Sequence, residues 1–135
     1  MRDSNRSLWA GWIIQDHKQT IFYSGDNGYG LHYAEVGKRY PKVDIAFIEN
    51  GQYDMRWAAT HMHPEQTAQA AKDVGAKHFV PVHWGAYSMA LHHWNEPVLK
   101  SIPLVRSYGI KTITPIMGEV FDIHTQTSDW YKSIQ

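Results

Sequence analysis

The sequence predicts an α/β domain with parallel neighbouring strands. A short continuous apolar run at Val43–Ile48 reads as a strand covered on both faces, and His78–Val82, with its apolar run Phe79–Val82, reads as the next strand. Segments with helical spacing separate such runs. A chain of 135 residues buries roughly two-thirds of the surface it exposes when unfolded, enough for one core. No composition break, linker, low-complexity tract or repeat divides it, so residues 1–135 read as a single domain.

The elements follow in order. Leu8–Ile14 and Thr20–Tyr23, joined by the polar link Gln15–Gln19, read as a β-hairpin. Ser24–Gly30 is a turn-rich loop, and Leu31–Tyr40 reads as a helix whose Leu31, Ala34 and Val36 mark a loosely apolar face. The strand Val43–Ile48 ends at Glu49-Asn50-Gly51, and a long loop runs to His63. Pro64 in a first turn, Glu65 at its positive end, the repeat Ala68, Ala71, Val74 and the stop at Gly75 define the next helix. After the strand His78–Val82 and the loop Trp84–Trp94, a further helix opens at an Asn95 cap with Pro97 in its first turn. Lys111–Thr114 and Glu119–Ile123 read as two closing strands. With crossovers of the usual hand, the strands ending near Tyr23, Ile48 and Val82 finish on one edge of the sheet. Asp26, Glu49, Asn50 and His83 would then line a single rim, where such sheets place ligands.

Composition narrows the function. Thirteen Lys and Arg balance thirteen Asp and Glu with no long run of one sign, which argues against a nucleic-acid or acidic-membrane partner held by bulk electrostatics. The absence of cysteine excludes thiolate zinc sites, disulfides and cysteine nucleophiles. No apolar run approaches the ~20 residues that span a bilayer, and Met1–Arg6 is too polar for a signal peptide, so the expected location is cytoplasmic. There is no Gly-x-Ser-x-Gly elbow, no paired-carboxylate motif and no dinucleotide glycine pattern. Nine His and eighteen aromatic residues exceed what a core requires.

Several residues have the chemistry of a site. Asp26 lies in a loop with glycines at 25, 28 and 30, which suits a metal ligand or general base as well as an Asp that caps a turn. His83 emerges where an apolar strand ends, and its imidazole suits either a zinc-type metal or a packed, hydrogen-bonded role. His61-Met62-His63 is a local pair that can bind one metal if extended, although with Pro64 following, His63 reads equally as helix entry while His61 alone turns to the rim. Arg56 can clamp a phosphate or carboxylate, or simply stack on Trp57. His92-His93 reads as a polar loop, and His17, His32, His78 and His124 have no supporting context.

Together, Leu8–Trp12, Phe22–Tyr29, Arg56-Trp57, His61–Gln66 and Val82–Tyr87 resemble the metallo-β-lactamase superfamily, in particular its N-acyl-phosphatidylethanolamine phospholipase D type and bacterial relatives. The resemblance implies the C-terminal half of an αββα sandwich, one mixed sheet with about three helices. It implies that Asp26 matches the aspartate bridging two metals, usually zinc, that His83 matches a histidine on the second metal, and that His61 matches a catalytic histidine beside the substrate pocket. In the complete enzymes the metals activate water against a phosphodiester, lactone or related centre, so a small-molecule or lipid-like substrate is implied. The His-x-His-x-Asp-His motif that supplies most ligands does not occur in this chain. An incomplete zinc site and an inactive or very weak isolated chain are therefore expected. A non-catalytic oligomeric or binding module is the alternative, and a separately encoded partner supplying the missing half is a third reading. Half of a two-sheet sandwich also exposes a sheet face, which predicts a homodimer or a partner that covers it.

Overall fold

The computed structural model describes residues 9–133. Its centre is a five-stranded mixed sheet in the order β1 (Trp12–Gln15), β2 (Thr20–Tyr23), β3 (Val43–Glu49), β4 (Ala76–Val82), β5 (Lys111–Thr112). β1 and β2 form the antiparallel hairpin, and β2 to β5 are successive parallel neighbours. The hairpin turn is closed by Asp16, whose Oδ1 accepts from Lys18 N at 2.7 Å and Gln19 N at 2.8 Å. Of the first strand expected at Leu8–Ile14, Leu8 lies outside the described residues and Trp9–Gly11 are not strand, the pairing running instead over Trp12–Gln15.

The parallel strands are joined by α1 (His32–Arg39), α2 (Pro64–Asp73) and α3 (Glu96–Ser107). The helices share one core with the sheet: Tyr33, Ala68, Ala71, Val74, Val98, Ile102 and Val105 pack with Phe22, Ala46, Ile48 and Phe79. α2 begins as its sequence predicts, with Pro64 in the first turn and Gln66 Oε1 accepting from His63 N at 2.9 Å. Two details differ. The buried face of α1 is set by Tyr33, while Leu31 stands 84% exposed. Asn95 precedes α3 but makes no side-chain cap, because its amide donates to Tyr131 O at 2.8 Å and ties the helix start to the C-terminal segment.

Alternation along the strands sends Ile45, Phe47 and Val80 to the other face, where with Ile113 they meet Phe121 and Ile123. The segment Glu119–Ile123, expected as a strand, is not one. Among the described residues it pairs with no strand, and its neighbourhood closes local turns instead, with Ile116 N donating to Glu119 Oε2 at 2.8 Å and Asp122 N to Thr125 Oγ1 at 2.8 Å. A strand needs a partner ladder for its amides, and alternation in sequence cannot supply one. β5 likewise stops at Thr112 rather than Thr114. Towards β1 this face lies open: Ile13 packs with the helix-side core, so Trp12 and Ile14 point away from it, and they are 63% and 61% exposed, with Tyr23 at 43%.

The tryptophan excess is used in a stack. Trp84, Trp94 and Trp130 lie with ring centroids 5.5 to 6.2 Å apart, and Trp84 Nε1 and Trp130 Nε1 donate to Pro81 O and Thr114 O.

Candidate metal centre at the strand ends

The loop after β2 is fastened to β3 before Asp26 is reached. Ser24 N donates to Phe47 O at 2.9 Å, and Glu49 N donates to Ser24 Oγ at 2.9 Å. Gly25 then takes a φ of +67°, which an L side chain resists, and turns the chain so that Asp26 stands half exposed at the rim. Gly28 lets this loop touch the one before His61, since a Cβ there would lie 2.2 Å from Ala59 O. Tyr29 OH donates to Asp73 Oδ2 at 2.6 Å and holds the far side of the loop to the end of α2.

Glu49 closes β3 and is fully buried. Its Oε1 accepts from Gly51 N at 2.9 Å and its Oε2 from Met62 N at 3.0 Å, while its carbonyl accepts from Thr67 Oγ1 at 3.1 Å. These bonds join β3, the loop carrying His61, and α2. Buried Met62 anchors that loop and leaves His61 facing the rim. His83 follows β4 directly with a φ of +64°, the only non-glycine positive φ among the described residues. Backbone held in this region by its surroundings is typical of functional sites.

These residues converge. His61 Nδ1 lies 3.1 Å from Asp26 Oδ1 and 3.2 Å from Glu49 Oε1, and His83 Nδ1 lies 3.5 Å and 3.7 Å from the same two oxygens. One donor atom from each of the four residues falls within 4.8 Å of all the others. The Glu49 carboxylate, with the charge of Asp26, raises the His83 imidazole above its ordinary value against the opposing effect of partial burial. At 3.7 Å the Glu49 contact is electrostatic rather than a hydrogen bond. Two imidazoles and two carboxylates suit a divalent ion of borderline softness, so this donor set fits a metal such as zinc.

The other candidates lie elsewhere. Arg56 is taken up by Asp54, with its Nε 2.8 Å from Oδ1 and its Nη2 2.8 Å from Oδ2, and it stacks over Trp57 at 4.6 Å, so it does not face the rim as an anion clamp. His63 caps α2 beside Tyr53 and does not join the cluster, and His92 stacks on Tyr53 at 4.3 Å. Asn50, expected on the rim, is buried and is not one of the four. His78 is buried with Nδ1 donating to Asp44 O at 2.9 Å, His32 pairs with Asn27, and His17 and His124 are exposed. Glu49 was legible as a rim residue but not as a donor, because sequence marks where it leaves the strand and not which way amides turn its carboxylate.

The sequence model of a family described as beta-lactamase superfamily domain matches residues 1–84. The chain belongs to that superfamily. It is 47% identical over 81 residues to the outer membrane protein RomA of Klebsiella pneumoniae, covering 60% of this chain and 61% of that one. It is 28% identical over 130 residues to the N-acyl-phosphatidylethanolamine-hydrolyzing phospholipase D 1 of Caenorhabditis elegans, covering 90% of this chain and 36% of the relative, which supports the branch read from the sequence. Igni18, a metallo hydrolase from the archaeon Ignicoccus hospitalis, superposes with a TM-score of 0.67 at 23% identity, covering 86% of this chain and 46% of Igni18. The chain thus spans less than two thirds of the length of each of these relatives, and its mixed sheet with three helices is part of the superfamily fold. The superfamily is metal-dependent, and the cluster at Asp26 is a partial ligand group for such an ion. Among the described residues, no helix of this superfamily member is long and apolar enough to cross a membrane.

Proposed function

We propose that this chain is the C-terminal part of a zinc-dependent hydrolase acting on a phosphodiester or lactone, with a lipid-like phosphodiester favoured by the activity for which the Caenorhabditis elegans relative is named. The observation that carries the reading is the approach of Asp26 Oδ1 to both His61 Nδ1 and His83 Nδ1 on one rim, at 3.1 and 3.5 Å. Asp26 and His83 would hold the metal, whose contribution when bound is to polarise the reacting centre and activate water. His61, turned toward the rim beside the buried Glu49, would stand next to both the metal and the substrate. Because the His-x-His-x-Asp-His stretch is not in this sequence, most ligands of a two-metal site must come from another polypeptide segment, and the isolated chain hydrolyses slowly or not at all.

The test is complementation. Hydrolysis of bis(p-nitrophenyl) phosphate and of a simple lactone is measured with the chain alone and after mixing with a polypeptide carrying the missing motif. Activity that appears only on mixing, and is lost in Asp26→Asn, supports the reading, while no activity in the mixture removes it. A non-catalytic homo-oligomeric module is the second reading, favoured by the open apolar row of Trp12, Ile14 and Tyr23.

A further inference from the structure

We propose that Asp26, Glu49, His61 and His83 form, within this chain alone, a four-donor site for one divalent ion of the zinc type. The resemblance to the superfamily implies metal roles for Asp26 and His83 only, and this inference rests on the metal-dependent reading while adding Glu49 and His61 as ligands.

Geometry makes the first argument. Four ligands placed tetrahedrally at about 2.1 Å from one ion stand about 3.4 Å from each other. The carboxylate-to-imidazole distances here are 3.1, 3.2, 3.5 and 3.7 Å, spread around that value, and the remaining separations are within 4.8 Å. Small side-chain adjustments would bring all four onto one ion.

Charge makes the second. Glu49 is fully buried, and among the described residues no Lys or Arg nitrogen lies within 4 Å of it or of Asp26. Two ionised carboxylates this close repel one another, and burying one without a countercharge is costly. One divalent cation bound between them would supply the countercharge that the two carboxylates lack. The amides of Gly51 and Met62 donate to the two carboxylate oxygens of Glu49 and hold Oε1 toward the histidines, so the carboxylate is oriented before any ligand arrives.

Placement makes the third. The donors come from the loop after β2, the end of β3, the loop before α2 and the residue after β4, all contained in this chain and all tied to the sheet rather than to free loops. Nothing from another polypeptide is needed for four-coordination.

Zinc titrated calorimetrically into chelator-stripped protein, with elemental analysis on the same sample, tests the proposal. The expected result is one ion per chain, with affinity reduced at least about tenfold in both Glu49→Gln and His61→Ala and unchanged in His17→Ala, a change at an exposed histidine. Cobalt in place of zinc should give the visible spectrum of a tetrahedral nitrogen and oxygen site in the native chain and lose it in His61→Ala. If Glu49→Gln does not fold by circular dichroism, His61→Ala and Asp26→Asn decide the matter, and both should weaken binding. No binding overturns the proposal. So does half an ion per chain, which would mean a site shared by two copies, or an affinity indifferent to the folded variants. Failure here leaves the hydrolase reading intact, since that depends on the mixed polypeptides and not on binding by this chain alone.

Discussion

A Cβ placed on Gly51 would lie 1.6 Å from the carbonyl oxygen of His83. The ends of β3 and β4 are therefore in backbone contact, reinforced by Asn50 N donating to Val82 O at 2.9 Å. Gly51→Ala should push the His83 carbonyl away and destabilise the fold by about 2 to 3 kcal/mol, as overpacking does. Urea unfolding measures this. A variant as stable as the native chain would show that the contact yields freely.

The C-terminal segment is clipped to α3 by Arg106, whose Nη2 and Nη1 donate to Asp129 Oδ1 and Oδ2 at 2.7 and 3.0 Å, with Lys132 at 2.7 Å. The Arg106 hydrogen bonds, outweighing partial burial and helped by Lys132, hold the Asp129 carboxyl well below the usual carboxylate range. A carboxyl whose folded pKa is depressed stabilises the protein above its unfolded value, near 4, and loses that contribution as pH falls through the folded value. Asp129→Asn should cost about 1 kcal/mol at pH 7, a partly exposed pair being worth no more. The gap in melting temperature between the two proteins should narrow below pH 4, and a gap that widens on acidification contradicts the assignment.

On the face away from the helices, Phe121 sits over Phe47 with ring centroids 6.3 Å apart. It belongs to the irregular segment that covers Ile45, Val80 and Ile113. Phe121→Ala should uncover that cluster and cost about 2 kcal/mol, less than for a wholly buried Phe because the ring is only partly enclosed. Binding of a hydrophobic dye should rise with it, and an unchanged melting temperature would mean that the segment contributes no packing.

The open row beside it predicts self-association. Ile14, exposed at 61%, neighbours Trp12 and Tyr23, and Ile14→Lys should shift the protein from dimer toward monomer in light scattering at micromolar concentration with its melting curve little altered. A native chain that is already monomeric removes the homodimer reading.

Much of this architecture was readable from the residues. β2, β3 and β4 are short apolar runs with clear stops, and α2 carries its punctuation in Pro64 and Gly75, so local chemistry and tertiary structure agree there. Asp26 and His83 follow from those strand ends. The failures have a common cause. Whether Glu119–Ile123 becomes a strand depends on a neighbour that the segment cannot encode, and Leu31 is apolar but precedes the helical turn whose Tyr33 reaches the core. The donor role of Glu49 depends on two amides, one of them from Met62, far along the chain, and no spacing rule reports such a closure.

The tryptophan stack has a practical consequence. Trp84 is the residue after His83, and its ring lies nearly parallel to Trp94 at 6.1 Å, with Trp130 at 5.5 Å. Indoles held this close couple their electronic transitions, so the folded chain should show a strong near-ultraviolet dichroism that unfolding abolishes. Because the first ring of the series is covalently next to the imidazole at the strand end, a shift of His83 is transmitted to an optical signal that needs no added label.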